Sequence, residues 1–108
     1  MTLVLKPLVF EVLLALVEQP RHGWSLVREM EDRLGGEPLL PGNFYRTLRR
    51  MLADGLIEEA TPPDEAGDDE RRRYFRLTAR GERVARAEAK RLEALVGDSR
   101  FRRLLRAR

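Results

Sequence analysis

The sequence predicts a mainly α-helical fold carrying one small β-hairpin, and three observations predict it. Apolar residues recur at helical spacing in separate stretches along the chain. Only two short runs, 56–60 and 72–77, suit strands, and a polar segment with prolines and acids separates them. The composition is 43% hydrophobic and 36% charged but only 6% aromatic, which suits helices better than an all-β domain. At 108 residues the chain is most simply one domain with a real but modest core, so oligomerisation would help it.

The first helix is expected over Leu8–Val17, where leucine and alanine dominate and Glu11 is the only charge. Pro7 suits its first turn, where a missing N–H costs nothing. Leu8, Val12, Ala15 and Leu16 mark one face, and Val9, Leu13 and Val17 another. A helix apolar around most of its girth must be covered on more than one side. Leu8, Val9, Val12, Leu13 and Leu16 are therefore candidates for contact with a second subunit; the competing reading is a central helix of a monomer core. Lys6, Pro7 and Glu11 interrupt the apolar start, which is too short to span a bilayer, and a cytoplasmic location is the default.

Glu18–Gly23 reads as a turn, with Pro20 and Gly23 as breakers. A second amphipathic helix is expected over Trp24–Leu34. Trp24, Leu26, Val27, Met30 and Leu34 supply its apolar contacts, and Gly35 and Gly36 end it. A third helix is expected over Gly42–Asp54. At 3.6 residues per turn Phe44, Leu48, Met51 and Leu52 form its apolar face, with Thr47 at the edge. Asn43, Arg46, Arg49 and Arg50 fall opposite, with Tyr45 on the flank. Each guanidinium is a rigid fork of donors that suits phosphates and base edges. Exposed arginines are also what any solvated helix face carries, so this stretch alone does not decide.

Gly55 stops the third helix. Residues 56–60 and 72–77 read as strands, with Phe75 and Leu77 alternating with Tyr74 and Arg76. Thr61–Glu70 reads as the tip between them. Thr78 can cap a long final helix, which Gly81 weakens slightly. Val84, Ala85, Ala89, Leu92, Leu95 and Val96 form its apolar stripe, interrupted near Glu88 and Arg91. Such a stripe suits packing against another helix, which makes Val84, Leu92, Leu95 and Val96 candidate dimer residues. Gly97 and Asp98 break the helix before an amphipathic basic tail with Phe101, Leu104 and Leu105 on one side. The element order is that of a winged helix-turn-helix, residues 1–77, followed by a dimerisation helix and basic tail, residues 78–108.

The net charge of +3 hides an asymmetry: residues 71–108 carry 14 basic and 4 acidic residues, whereas residues 1–70 carry 7 basic and 14 acidic. A basic final third fits a polyanionic partner or an exposed charged helix. There is no cysteine and only one histidine, His22, and no catalytic or metal-ligand grouping is legible. The carboxylates at Asp64, Glu65, Asp68, Asp69 and Glu70 lack calcium-loop spacing. An enzyme is not expected, nor is a cofactor or a membrane contact.

The segments HGWSLVREME, NFYRTLRRMLADGLIE and RRRYFRLTARGERV, in this order and spacing, resemble the PadR family of bacterial winged-helix transcriptional regulators. The resemblance covers about residues 8–96. It implies a homodimer held by the first and last helices and bound to double-stranded DNA at a pseudo-palindromic operator, as a repressor. It matches Tyr45 to the family tyrosine at the start of the recognition helix, Arg46, Arg49 and Arg50 to its polar face, and Gly55 to its turn glycine. Tyr74, Arg76 and Thr78 match the returning strand and the cap of the last helix. The short form of the family, which this chain resembles, takes hydrophobic effectors in a pocket between subunits. Trp24 and Phe44 depart conservatively from the family tyrosine and leucine. The acidic wing tip departs more, since carboxylates repel phosphates. It moves the expected wing contact to Arg71, Arg72 and Arg73.

The candidate DNA-binding residues are thus Asn43, Tyr45, Arg46, Arg49, Arg50, Arg71, Arg72 and Arg73. The alternative is a winged-helix module that binds another protein without touching DNA.

Overall fold

The computed structural model describes residues 5–33, 35–36, 39–60 and 73–106. The chain runs α1 (Pro7–Ala15), β1 (Arg21–His22), α2 (Gly23–Arg33), α3 (Pro41–Ala53), β2 (Ile57–Ala60), β3 (Tyr74–Leu77), α4 (Ala79–Gly97) and α5 (Ser99–Arg106). The expected wing tip, together with Arg71 and Arg72, lies outside the described residues, as does Leu34.

The wing is a three-stranded antiparallel sheet in the order β1-β3-β2, not a two-stranded hairpin. Arg21 pairs with Phe75 and His22 with Tyr74, in a segment that reads from sequence as a turn. β2 and β3 pair from Ile57 opposite Leu77 to Ala60 opposite Tyr74. Arg76 and Glu58, directly opposite, form an ion pair of 2.6 Å.

One core joins every layer. Val12, Leu13 and Leu16 of α1 meet Leu26 and Met30 of α2, Phe44, Leu48 and Met51 of α3, and Ile57, Phe75 and Ala85. Burying each large aliphatic or aromatic side chain contributes about 1.5–3 kcal/mol. Val12, Leu13 and Leu16, candidates for a subunit contact, are 0%, 0% and 3% exposed in the single chain. They belong to its own core, whereas Leu14 and Val17 of the same apolar stretch stay 41% and 57% exposed. Trp24, expected among the apolar contacts of α2, is instead 63% exposed.

α3 ends where Gly55 takes a φ of +75°, with Leu56 N–H donating to Met51 O and Gly55 N–H to Leu52 O. This paired capping pattern satisfies two carbonyls and turns the chain into β2. α4 begins at a true side-chain cap: Thr78 Oγ1 accepts from Gly81 N–H at 2.9 Å. Gly81 then does more than weaken the helix. A β-carbon there would collide with the Leu56 carbonyl oxygen, so α4 starts hard against the end of α3.

Glu88 and Arg91 do not interrupt the inward stripe of α4 but complete it. Glu88 is buried and holds Arg91 in a two-pronged contact at 2.9 and 2.7 Å. Beyond them α4 and α5 lead away from the core. The radius of gyration is 15.8 Å, against about 13 Å for a compact chain of 100 residues.

Candidate nucleic-acid interface

α3 places the candidate reading surface because its apolar face is locked. Phe44, Leu48 and Met51 are 1–2% exposed, so rotation about the helix axis would pull all three from the core. Asn43, Arg46, Arg49 and Arg50 stand exposed on the far side, as the helical period requires. Arg46 donates to Asn43 Oδ1 at 3.1 Å, which orders these two side chains together. Arg50 pairs with Asp54 at 3.4 Å with its side chain 80% exposed. Such an exposed pair is worth about 0–1 kcal/mol and yields readily to a phosphate. Arg49 has no carboxylate partner among the described residues.

Tyr45 leaves the arginine side and leans on the neighbouring helix. Its ring meets Gly23 at the start of α2 and stands edge-on to Phe44, with centroids 6.0 Å apart. Gly23 N–H donates to Arg73 O at 3.1 Å. Tyr45 and Arg73, both candidates for phosphate contact, are thus brought to the same residue. The Arg73 side chain is exposed and pairs with Glu59 at 3.5 Å.

Arg80 belongs to no motif that marks it in the sequence. Its Nε donates to Asp54 O at 3.1 Å, from the first turn of α4 to the last carbonyls of α3. A cation at that end also complements the helix dipole. The signal was present as an arginine two residues after the cap Thr78, but only the fold brings it to α3.

The candidate dimer residues separate into two groups. Leu8, Val9, Val84 and Leu92 are partly buried within the chain. Leu95 and Val96 are 43% and 50% exposed and continue into α5, where Leu104 and Leu105 are 75% and 71% exposed. Exposed apolar surface thus continues from the second half of α4 into α5, and it is also present at Leu14, Val17, Trp24 and Leu40. Asp98 sets the angle between them: its carboxylate accepts from Arg100 N–H at 2.8 Å and grips the Arg100 guanidinium at 2.9 Å. Those Arg100 bonds hold the Asp98 carboxyl below its ordinary pKa.

Among the described residues no group of three or more His, Cys, Asp or Glu could hold a metal ion, and no helix is long and apolar enough to cross a membrane.

The family model "Transcriptional regulator PadR-like family" matches residues 12–87. No curated protein matches the chain. Among solved structures, a PadR family transcriptional regulator from Eggerthella lenta is 29% identical with a TM-score of 0.65, covering 94% of this chain and 83% of that one. RosR of H. salinarum is 27% identical with a TM-score of 0.68, covering 94% and 86%. Bacillus subtilis PadR in complex with operator DNA shares the fold at 17% identity and a TM-score of 0.60, covering 76% of this chain and 46% of that one.

Proposed function

We propose that this chain, which belongs to the PadR-like family of transcriptional regulators, is a repressor that binds a pseudo-palindromic operator as a homodimer. Its activity is DNA-binding regulation of transcription, not catalysis. The operator and the pairing are the specific part of the proposal. Residues 1–77 read the DNA, residues 78–108 pair the subunits, and the protein works in the cytoplasm. The observation that carries the reading is α3: one face is locked in the core, and the opposite face presents Asn43, Arg46, Arg49 and Arg50 to solvent.

In this reading each α3 enters a major groove, and the two half-sites lie roughly 34 Å apart. Arg46, Arg49, Arg50 and Asn43 contact base edges or adjacent phosphates. Tyr45, Arg71, Arg72 and Arg73 contact phosphates, which position without specifying. Replacing a base-reading arginine costs on the order of 1–3 kcal/mol and relaxes one position; replacing a phosphate contact lowers affinity for every sequence and the salt slope by about one. Titrating Arg49→Ala and Arg73→Ala against the protein's own upstream DNA over a salt series tests both roles. If neither variant differs from wild type, the contact surface is misassigned.

The acidic stretch 64–70, between β2 and β3 in the sequence, favours a second reading, a module that binds another protein. A retarded band with that same upstream DNA at moderate salt decides against it.

A further inference from the structure

We infer that Gly23 is a positioning residue for DNA reading: having no side chain, it lets the Tyr45 ring close over the first turn of α2, and this contact sets how α3 and the base of the wing are presented together. The inference rests on α3 being the DNA-reading helix.

The backbone does not require a glycine here. The positive-φ glycines among the described residues are Gly35, Gly36 and Gly55, and Gly23 is not among them. Alanine would suit the first turn of a helix well. What crowds a side chain here is Tyr45. A β-carbon on Gly23 would stand 3.1 Å from Tyr45 Cε1, 3.1 Å from its hydroxyl oxygen and 3.5 Å from Cζ. Carbon atoms pack best at about 3.5–4.0 Å, so the ring would have to give by a few tenths of an ångström. Inward movement is closed to it, because Phe44, against which the ring stands edge-on, is 1% exposed and packed in the core. The ring would therefore swing outward, into the surface that faces DNA.

Gly23 also holds the wing. Its N–H donates to the carbonyl of Arg73, the residue before β3. Three parts of the reading head meet at this one position: the first turn of α2, the flank of α3 through Tyr45, and the base of the wing through Arg73. A side chain that moves Tyr45 changes their mutual setting while leaving the core residues Leu26, Met30, Leu48 and Met51 untouched.

The test uses the full-length protein and the duplex that the wild type enriches from a random-sequence library. Binding and melting temperature are measured for Gly23→Ala, Gly23→Leu, Tyr45→Ala, and each glycine variant combined with Tyr45→Ala. Gly23→Ala is expected to melt at or above the wild-type temperature yet to bind a few-fold more weakly. Gly23→Leu is expected to bind about tenfold more weakly, the size of one lost interface contact. In the Tyr45→Ala background, either glycine substitution should cost nothing further. That pattern separates positioning from a merely structural role, in which affinity would fall together with melting temperature. Wild-type affinity in both glycine variants overturns the inference. So does a loss that is just as large without the Tyr45 ring, or one that tracks the melting temperature. If the wild type enriches no duplex, the reading of α3 itself has failed and this inference with it.

Discussion

Thr78 Oγ1 donates a hydrogen bond to Gly55 O at 2.6 Å, joining the end of α3 to the start of α4 across 23 residues of chain. The same oxygen accepts from Gly81 N–H, and Thr78 N–H reaches Leu56 O at 3.2 Å. α3 and α4 are thereby bolted together at one point. Thr78→Val keeps the shape and removes both hydroxyl bonds. It should destabilise the chain by about 1–3 kcal/mol, the sum of a lost cap and a carbonyl left without its donor. Thr78→Ser should retain most of that stability. Urea unfolding of the two variants measures the difference.

Two glycines of α4 should respond in opposite directions. Gly81 abuts the Leu56 carbonyl, so Gly81→Ala must push α4 off the end of α3 and should cost about 2 kcal/mol or more. Gly97 is exposed with nothing within 4 Å of a β-carbon, so Gly97→Ala should be neutral or stabilise by up to about 1 kcal/mol. Thermal melts of both variants distinguish close approach from helix propensity.

Glu88 is a buried carboxylate on α4, paired with Arg91. The Arg91 hydrogen bonds hold its carboxyl below the ordinary glutamate pKa, helped by the Arg91 charge and the Leu5 backbone, while desolvation opposes them. A carboxyl whose folded pKa is depressed contributes stability above its unfolded pKa and loses it as pH falls through the folded value. Wild type should thus be more stable than Glu88→Gln at neutral pH, and the gap should close on acidification below the usual glutamate range. Denaturation midpoints of both proteins across an acid pH series check the sign.

The exposed leucines of α5 supply a test of pairing. The proposed homodimer should sediment at about twice the 12.5 kDa chain mass at micromolar concentration. Leu104→Glu with Leu105→Glu should shift it toward monomer without lowering the unfolding midpoint of the core, since both side chains are more than 70% exposed. A wild-type monomer would remove the basis for a paired reading head.

The helices were legible because segregation at 3.6 residues per turn is a local property. Phe44, Leu48 and Met51 opposite Arg46, Arg49 and Arg50 could be read without knowing what lay beneath them. β1 was not legible. Two residues, Arg21 and His22, carry no alternation, and they are a strand only because β3 pairs with them from more than 50 residues away. The chemistry of Trp24 suggests burial, yet its side chain is 63% exposed in the single chain. It stands about 100° around α2 from the buried Gly23, off the stripe of Leu26 and Met30. For Val12, Leu13 and Leu16, apolar excess shows that the helix needs cover but not whose; the chain's own core buries these three, while Leu14 and Val17 stay exposed. Glu88 lies seven residues after Gly81 on the inward stripe, and it is tolerated there because Arg91, one turn further, neutralises it. The contact of Tyr45 with Gly23 joins positions 22 residues apart, and no local pattern announces it.

Selection from a random-sequence duplex library with purified protein, read out by sequencing, addresses the paired reading head most directly. A homodimer with α3 in the major groove predicts an enriched inverted repeat whose half-sites are roughly 34 Å apart. It also predicts that Arg49→Ala relaxes the same position in both halves. No enriched sequence, or an enriched sequence whose preference Arg49→Ala leaves unchanged in either half, would contradict it.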